Sequence, residues 1–188
     1  MKKGQLIIIS GPSGVGKGTI RERLFEEDQE RLHLFFSISM TTREPRPGEQ
    51  EGTHYYFVSD EVFDQRIEEG KFLEHASFSG HKYGTPADKV EEKRNEGYNV
   101  LLEIEAQGAL QVMEKAPDCL SIFLAPPSME ELEKRLRGRE TEEEAQIQKR
   151  LKQAEWEMTT RNHYKYIVVN YTIDQAKADI VKIIEEAC

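Results

Sequence analysis

The stretch from Gln5 to Leu24, QLIIISGPSGVGKGTIRERL, constrains what the rest of the chain can fold into. Leu6 to Ile9 is a short, unbroken apolar run, largely β-branched, as in a strand buried on both faces. It stops at Ser10, and Gly11 to Lys17 then has the spacing G-x-x-x-x-G-K. Thr19 to Leu24 opens a helix with Ile20 and Leu24 on one face. Strand, glycine-rich loop and helix form the context in which this spacing marks a phosphate-binding loop. Gly11, Gly14 and Gly16 let the backbone curl so that successive N–H groups converge on an anion. The helix N-terminus and Lys17 add positive charge. The expected nucleotide-phosphate cradle is therefore Gly11, Pro12, Ser13, Gly14, Val15, Gly16, Lys17, Gly18 and Thr19. The competing reading, a glycine-rich turn in an ordinary βα unit, leaves the flanks unexplained. One position departs from the pattern: Gly18 stands where such loops have a Ser or Thr hydroxyl for Mg²⁺. No side-chain ligand for the ion is assigned, and Mg²⁺ is expected to be held by nucleotide phosphates and water.

Charge sharpens this. The 188 residues carry a net charge of −9, which argues against a nucleic-acid or membrane surface. An anion site must be a local gathering of Arg and Lys. The length suits one domain with small inserted subdomains. Cys119 and Cys188 make neither a disulfide framework nor a metal-ligand spacing, and with no signal peptide or membrane-length apolar run the expected location is the cytoplasm.

Further along, Leu32 to Met40 reads as a strand. Thr41 to Gly52, TTREPRPGEQEG, is irregular, and its Arg43 and Arg46 stand three apart in a proline-stiffened loop. They are either solvated loop arginines or a bidentate phosphate clamp, and spacing leaves both open. His54 to Val58 reads as a strand, and Ser59 to Glu69 as a helix with apolar face Val62, Phe63 and Ile67. Phe72 to Tyr83 reads as two strands about Ser79-Gly80. Thr85 to Asp88 looks like a helix start with Thr85 as N-cap. Tyr98 to Ile104 is a second buried-type strand, ending with Glu103 and Glu105 where open α/β sheets bind ligands. Ser121 to Ala125 is a third, followed by a capping box at Ser128. Arg135, Arg137 and Arg139 surround Gly138, and Thr141 to Glu144 opens another helix bearing Lys149 and Arg150. This is either a mobile lid over phosphates or a solvated hairpin. Tyr166 to Val169 is the last strand, ending at Asn170, and Asp174 to Ala187 the closing helix. Leu6, Val100, Ile122 and Ile167 are placed in the core strands of a parallel α/β sheet covered by helices on both faces.

The segments GPSGVGKGT, SISMTTREPRPGEQEGTHYYF, FLEHASFSGHKYGTP, VLLEIEAQGA, FLAPPS, RLRGRETE and KRL occur in the order found in guanylate kinases, and the chain resembles that family over essentially its whole length. The resemblance implies transfer of the ATP γ-phosphoryl group to GMP or dGMP with Mg²⁺. It also implies a P-loop core (about 1–33, 86–134 and 151–188), a mostly β GMP-binding insert (about 34–85) and a helical lid (about 135–150). Carried over by position, Arg43, Arg46, Tyr55 and Tyr83 clamp the GMP phosphate, and Glu74 reads guanine with Ser39 and Thr85. The N1–H and exocyclic amine of guanine are both donors and want an acceptor-only partner. A base lacking that pair leaves a buried carboxylate unmatched, and such rejection reaches roughly 10⁴-fold. Glu103 and Glu105 match acidic positions near the phosphates and base, though the second is usually Asp. Lys17, Arg135, Arg139 and Arg150 surround the transferring group and, with Arg43, are the expected catalytic cations. Asn170 matches an adenine contact. No protein partner is implied.

Two other readings remain at this level. Guanylate kinase-like domains of scaffold proteins have lost catalysis and bind peptides, but they lack a working P-loop. A P-loop kinase of another small phosphorylated acceptor is disfavoured by the intact Arg43, Arg46, Tyr55, Tyr83 and Glu74 set.

Overall fold

Strand β1 (Leu6–Ser10) is buried at every position, because it lies at the centre of a five-stranded parallel sheet. The order is β2-β7-β1-β8-β9, built with β2 (Leu34–Phe36), β7 (Asn99–Glu103), β8 (Leu120–Ala125) and β9 (Tyr166–Val169). The computed structural model describes residues 2–138 and 143–188. Arg139 and the helix start read at Thr141 lie outside them.

Alternation along the strands divides the core. Ile7, Ile9, Leu101, Ile122 and Leu124 meet α1 (Lys17–Glu27) and α7 (Ile173–Ala187) through Ile20, Leu24, Ala176, Ile180 and Ile184. Leu6, Ile8, Val100, Leu102 and Phe123 pack on the other face with Val90 of α3 (Ala87–Asn95), and with Ala109 and Val112 of α4 (Ala106–Lys115). Full burial of each such side chain contributes about 1.5–3 kcal/mol. The expected parallel α/β core is thus the one observed.

The insert forms a second sheet, β4-β3-β6-β5, from β3 (Met40–Thr41), β4 (Tyr56–Phe57), β5 (Phe72–Phe78) and β6 (His81–Pro86). Helix α2 (Asp60–Glu68) closes it, with Phe63 stacked on Phe72 at 4.5 Å between ring centroids. Beyond β8, α5 (Met129–Arg137) and α6 (Glu144–Thr159) pack through Leu132, Leu136 and Ala154, and a short 3-10 helix (Thr160–His163) leads to β9. Ser128 caps α5 as expected, its Oγ accepting from the Glu131 N–H at 3.1 Å.

Several local readings are corrected. The strand read over Leu32–Met40 is two strands in different sheets, β2 pairing with β7 and β3 with β6. In β9 the buried residue is Val168, and Ile167 is 46% exposed because β9 is an edge. Val62 of α2 is likewise exposed. Thr85 does not cap α3: Pro86 holds the N-cap position without a side-chain bond.

Polar ties join the sheet where its strands begin. Asn99 Oδ1 accepts from the Gln5 N–H at 2.9 Å, and its Nδ2 donates to the Leu32 carbonyl at 2.8 Å. Asn99→Ala leaves both backbone groups without that partner, so it should lower unfolding free energy by about 1–3 kcal/mol. Urea denaturation checks this; a loss of a few tenths would show that solvent replaces the amide.

Candidate active site

Two depressions open at the C-terminal edge of the parallel sheet, and Glu103 and Ile104 line both. One, of about 350 Å³, is walled by Ser13, Gly14, Gly16, Lys17, Gly18, Thr19 and Glu105. The other, of about 410 Å³, is walled by Arg21, Phe36, Ser39, Glu49, Tyr55 and Thr85.

The loop pocket follows from local backbone geometry. Gly11 has φ +149°, and a Cβ there would sit 2.2 Å from the Leu124 carbonyl oxygen, so only glycine fits. Val15 is fully buried and anchors the loop in the core. The Lys17 ammonium bends over the loop to the carbonyls of Gly11 (2.5 Å) and Pro12 (3.2 Å). Burial pushes its pKa down, opposed by the carboxylates of Glu157, Glu103 and Glu105. Asn170 is 2% exposed, its Nδ2 donating to the Val15 carbonyl at 2.8 Å. Its amide nitrogen holds the loop, while its buried Oδ1 has no hydrogen-bond partner. Arg135 donates to the Asn170 carbonyl at 3.0 Å, and Arg150 to Ser13 Oγ at 2.6 Å.

In the insert the Arg43 guanidinium lies 5.3 Å from the Tyr55 ring centroid, and Tyr83 bears on both. Glu49 organises them: Oε1 accepts from Arg43 at 2.9 Å and Oε2 from the Arg46 N–H at 2.8 Å. These bonds hold the Glu49 pKa down at about 2. Arg43, Tyr55 and Tyr83 are brought together, whereas the Arg46 side chain is exposed.

Glu74 is buried beneath the cleft wall. It faces Thr85 across the β5–β6 pair, and Thr85 Oγ1 donates to its Oε1 at 2.6 Å, the use to which the expected helix cap is put. Gly108 of α4 lets the carboxylate approach closely, since a Cβ there would lie 3.0 Å from Glu74 Oε2. Burial raises the Glu74 pKa, and the Thr85 hydroxyl works against that rise.

Arg21 and Glu49 at the cleft wall, and Glu157 on α6, escaped the reading of the sequence. Arg21 pairs with Glu103 at 3.3 Å, a role signalled only by its position one turn after Lys17. Glu49 sits in a loop with other acids. Glu157, 2% exposed on α6, falls on the stripe of Arg150 and Ala154, so a helical wheel would have flagged it.

Residues 3–187 match the family described as guanylate kinase. The chain is 49% identical to a guanylate kinase of Prochlorococcus marinus (strain MIT 9312), covering 96% of this chain and 97% of that one. It is 49% identical to a guanylate kinase of Thermus thermophilus, covering 97% of this chain and 81% of that one. The crystal structure of guanylate kinase from Anaplasma phagocytophilum superposes with a TM-score of 0.72 at 34% identity, covering 98% of this chain and 86% of that one.

Thr85→Val should raise the Glu74 pKa further, because it removes a donor to the charged form. The folded state already holds this proton more tightly than the unfolded chain, so stability falls as pH rises from about 4.3 towards the raised value. Carbon-detected NMR titration, with Glu74 assigned by Glu74→Gln, reads the shift. No upward movement would show that the hydroxyl does not hold the carboxylate ionised.

Proposed function

This chain belongs to the guanylate kinase family and phosphorylates GMP with ATP, and we propose that ATP occupies the loop pocket and GMP the cleft, their phosphates meeting at Glu103 and Ile104. The observation that carries this assignment is that these two residues border both depressions.

On this reading Arg43, Arg46, Tyr55 and Tyr83 bind the GMP phosphate. Glu49 keeps Arg43 aimed before the acceptor arrives. Glu74 accepts from the guanine N1–H and amine, with Ser39 and Thr85 beside it. The assigned contacts go to base and phosphate, so dGMP is an acceptor too.

An oxygen of the GMP phosphate attacks the γ-phosphorus in line, and the bond to the β,γ-bridging oxygen breaks, leaving ADP. The attacking oxygen is already anionic, so positioning and charge stabilisation suffice. Lys17, Arg135 and Arg150 supply positive charge, with Arg139 assigned the same role by resemblance; one arginine contributes about 10³- to 10⁵-fold in such transfers. Asn170 holds the loop through Val15 and accepts Arg135 on its carbonyl, and its unpartnered Oδ1 is the acceptor available for the expected adenine contact.

Among the described residues no group of three or more His, Cys, Asp or Glu is placed to hold a metal ion. Glu103 and Glu105 border the loop pocket, and Mg²⁺ binds readily through one or two carboxylates plus phosphates and water, so the donor set fits. These two would hold the ion beside the nucleotide, and when bound it would offset phosphate charge. We assign the core, insert and lid as the sequence divides them, with β2 moved to the core because it pairs with β7. Closure of insert and lid excludes water from the transferring group. No described helix is long and apolar enough to cross a membrane, and the two free cysteines fit a cytoplasmic location.

The test is ADP release with ATP and Mg²⁺, offering GMP, AMP, UMP and CMP separately. Turnover with GMP alone is expected. Lys17→Ala should lower kcat by roughly 10²-fold or more, and Arg43→Ala should raise KM for GMP by roughly ten- to a hundredfold. Unchanged GMP kinetics in the Arg43 variant would remove the clamp assignment.

A further inference from the structure

β5 is an end strand of the insert sheet, and its free edge lies against α4, a helix of the core. Among the described residues no strand covers that edge, and side chains of α4 bond it instead. Gln111 Oε1 accepts from the His75 N–H at 3.2 Å, and its Nε2 donates to the His75 carbonyl at 3.3 Å. One side-chain amide thus pairs with both backbone groups of one residue, as a neighbouring strand would. About one turn further along α4, the Lys115 ammonium donates to the Phe72 carbonyl at 2.8 Å. Gly108, three residues before Gln111 and on the same helical face, is where the Glu74 carboxylate packs against the helix.

The two anchors bracket a break in the strand. Phe72 lies opposite Pro86 and Glu74 opposite Thr85, so Leu73 is an extra residue that β6 does not match. Such a bulge disrupts the ladder and re-aims a side chain, which is why bulges recur beside active sites. The chain also changes core at this step. Phe72 packs with Phe63 and Met40 in the insert, whereas Leu73 packs against the main-sheet cluster that holds Ala109 and Val112. Glu74 comes next. With the ladder broken beside it, its aim depends on what grips β5 on either side.

We propose that Gln111 and Lys115 are positioning residues for base discrimination: they clamp the bulge of β5 at Phe72 and His75 and thereby hold the Glu74 carboxylate on the guanine edge. Neither residue lines the cleft, so both act through Glu74. The selectivity of the insert is then set from the core, by the helix that follows Glu105. This rests on the assignment of GMP to the cleft and of its guanine to Glu74.

Gln111→Met keeps the length of the side chain and removes both bonds. It should raise KM for GMP about tenfold, since a small misplacement of a contact group is costly, and leave KM for ATP within about twofold. Inosine monophosphate (IMP) keeps the N1–H of guanine but lacks the exocyclic amine. The ratio of kcat/KM for GMP to that for IMP therefore reads how well Glu74 meets the amine. That ratio should fall about tenfold in Gln111→Met. A merely structural tie, once cut, lowers turnover of both acceptors alike and leaves their ratio unchanged.

The experiment measures this ratio in a double-mutant cycle with Glu74→Gln. Gln111→Met should lower it in the native background and have no effect in the Glu74→Gln background. An unchanged ratio in the native background, or equal losses in both, would overturn the proposal. Lys115→Met, which removes the other anchor, goes through the same cycle and decides the matter if Gln111→Met does not fold. Failure of both variants to fold would also overturn the proposal, since the anchors would then serve the fold. If Glu74→Gln alone left the ratio unchanged, the guanine assignment itself would fall, and the proposal with it.

Discussion

The register of β1 against β7 decides where the chemistry stands. Ile9 lies opposite Glu103, so the last residues of both strands leave the sheet side by side. The glycine-rich loop begins where the carboxylates of β7 emerge, and α1 starts directly over them at Lys17. A shift of one residue would turn the buried side chains of β1 to the opposite face and take the loop away from Glu103. The two hydrophobic faces that enforce this register carry no chemistry of their own, yet they set the geometry of the site.

The second constraint is electrostatic. A chain of net charge −9 must gather anionic nucleotides, and two of its cations at the site come with carboxylates attached: Arg43 with Glu49 and Arg21 with Glu103. Each pair keeps a basic group from collapsing onto other carboxylates and fixes its direction at low entropic cost. The acids also moderate the site's potential, so that a nucleotide is held without the pocket becoming a general sink for anions.

What is legible in the sequence is what is local. The run Leu6 to Ile9, the loop spacing and the Ser128 cap each depend on a few adjacent residues, and each is found where expected. The single strand expected at Leu32–Met40 divides in two, because nothing in LHLFFSISM signals that the chain changes sheets midway. Ile167 and Val168 are equally apolar, and only the edge position of β9 determines which of them is buried. Thr85 has the sequence of a helix cap but a stronger suitor in Glu74, eleven residues away in sequence and opposite it across two strands. Glu49 bonds Arg43 and Arg46 within its own loop, but an irregular loop has no periodicity to reveal it, whereas Glu157 shows itself only as the buried end of the Arg150–Ala154 stripe.

The central position of β1 also bears on how the molecule is made. It leaves the ribosome well before the strands on either side of it, which contain Val100 and Leu120. No nearby strand can shelter it in the meantime, and pairings this distant close slowly because chain entropy must be lost before they form. An apolar stretch such as LIIIS then spends synthesis exposed, the circumstance in which nascent chains depend on chaperones. The nucleotide loop takes its final shape only after β7 and β8, far downstream of it, have been translated.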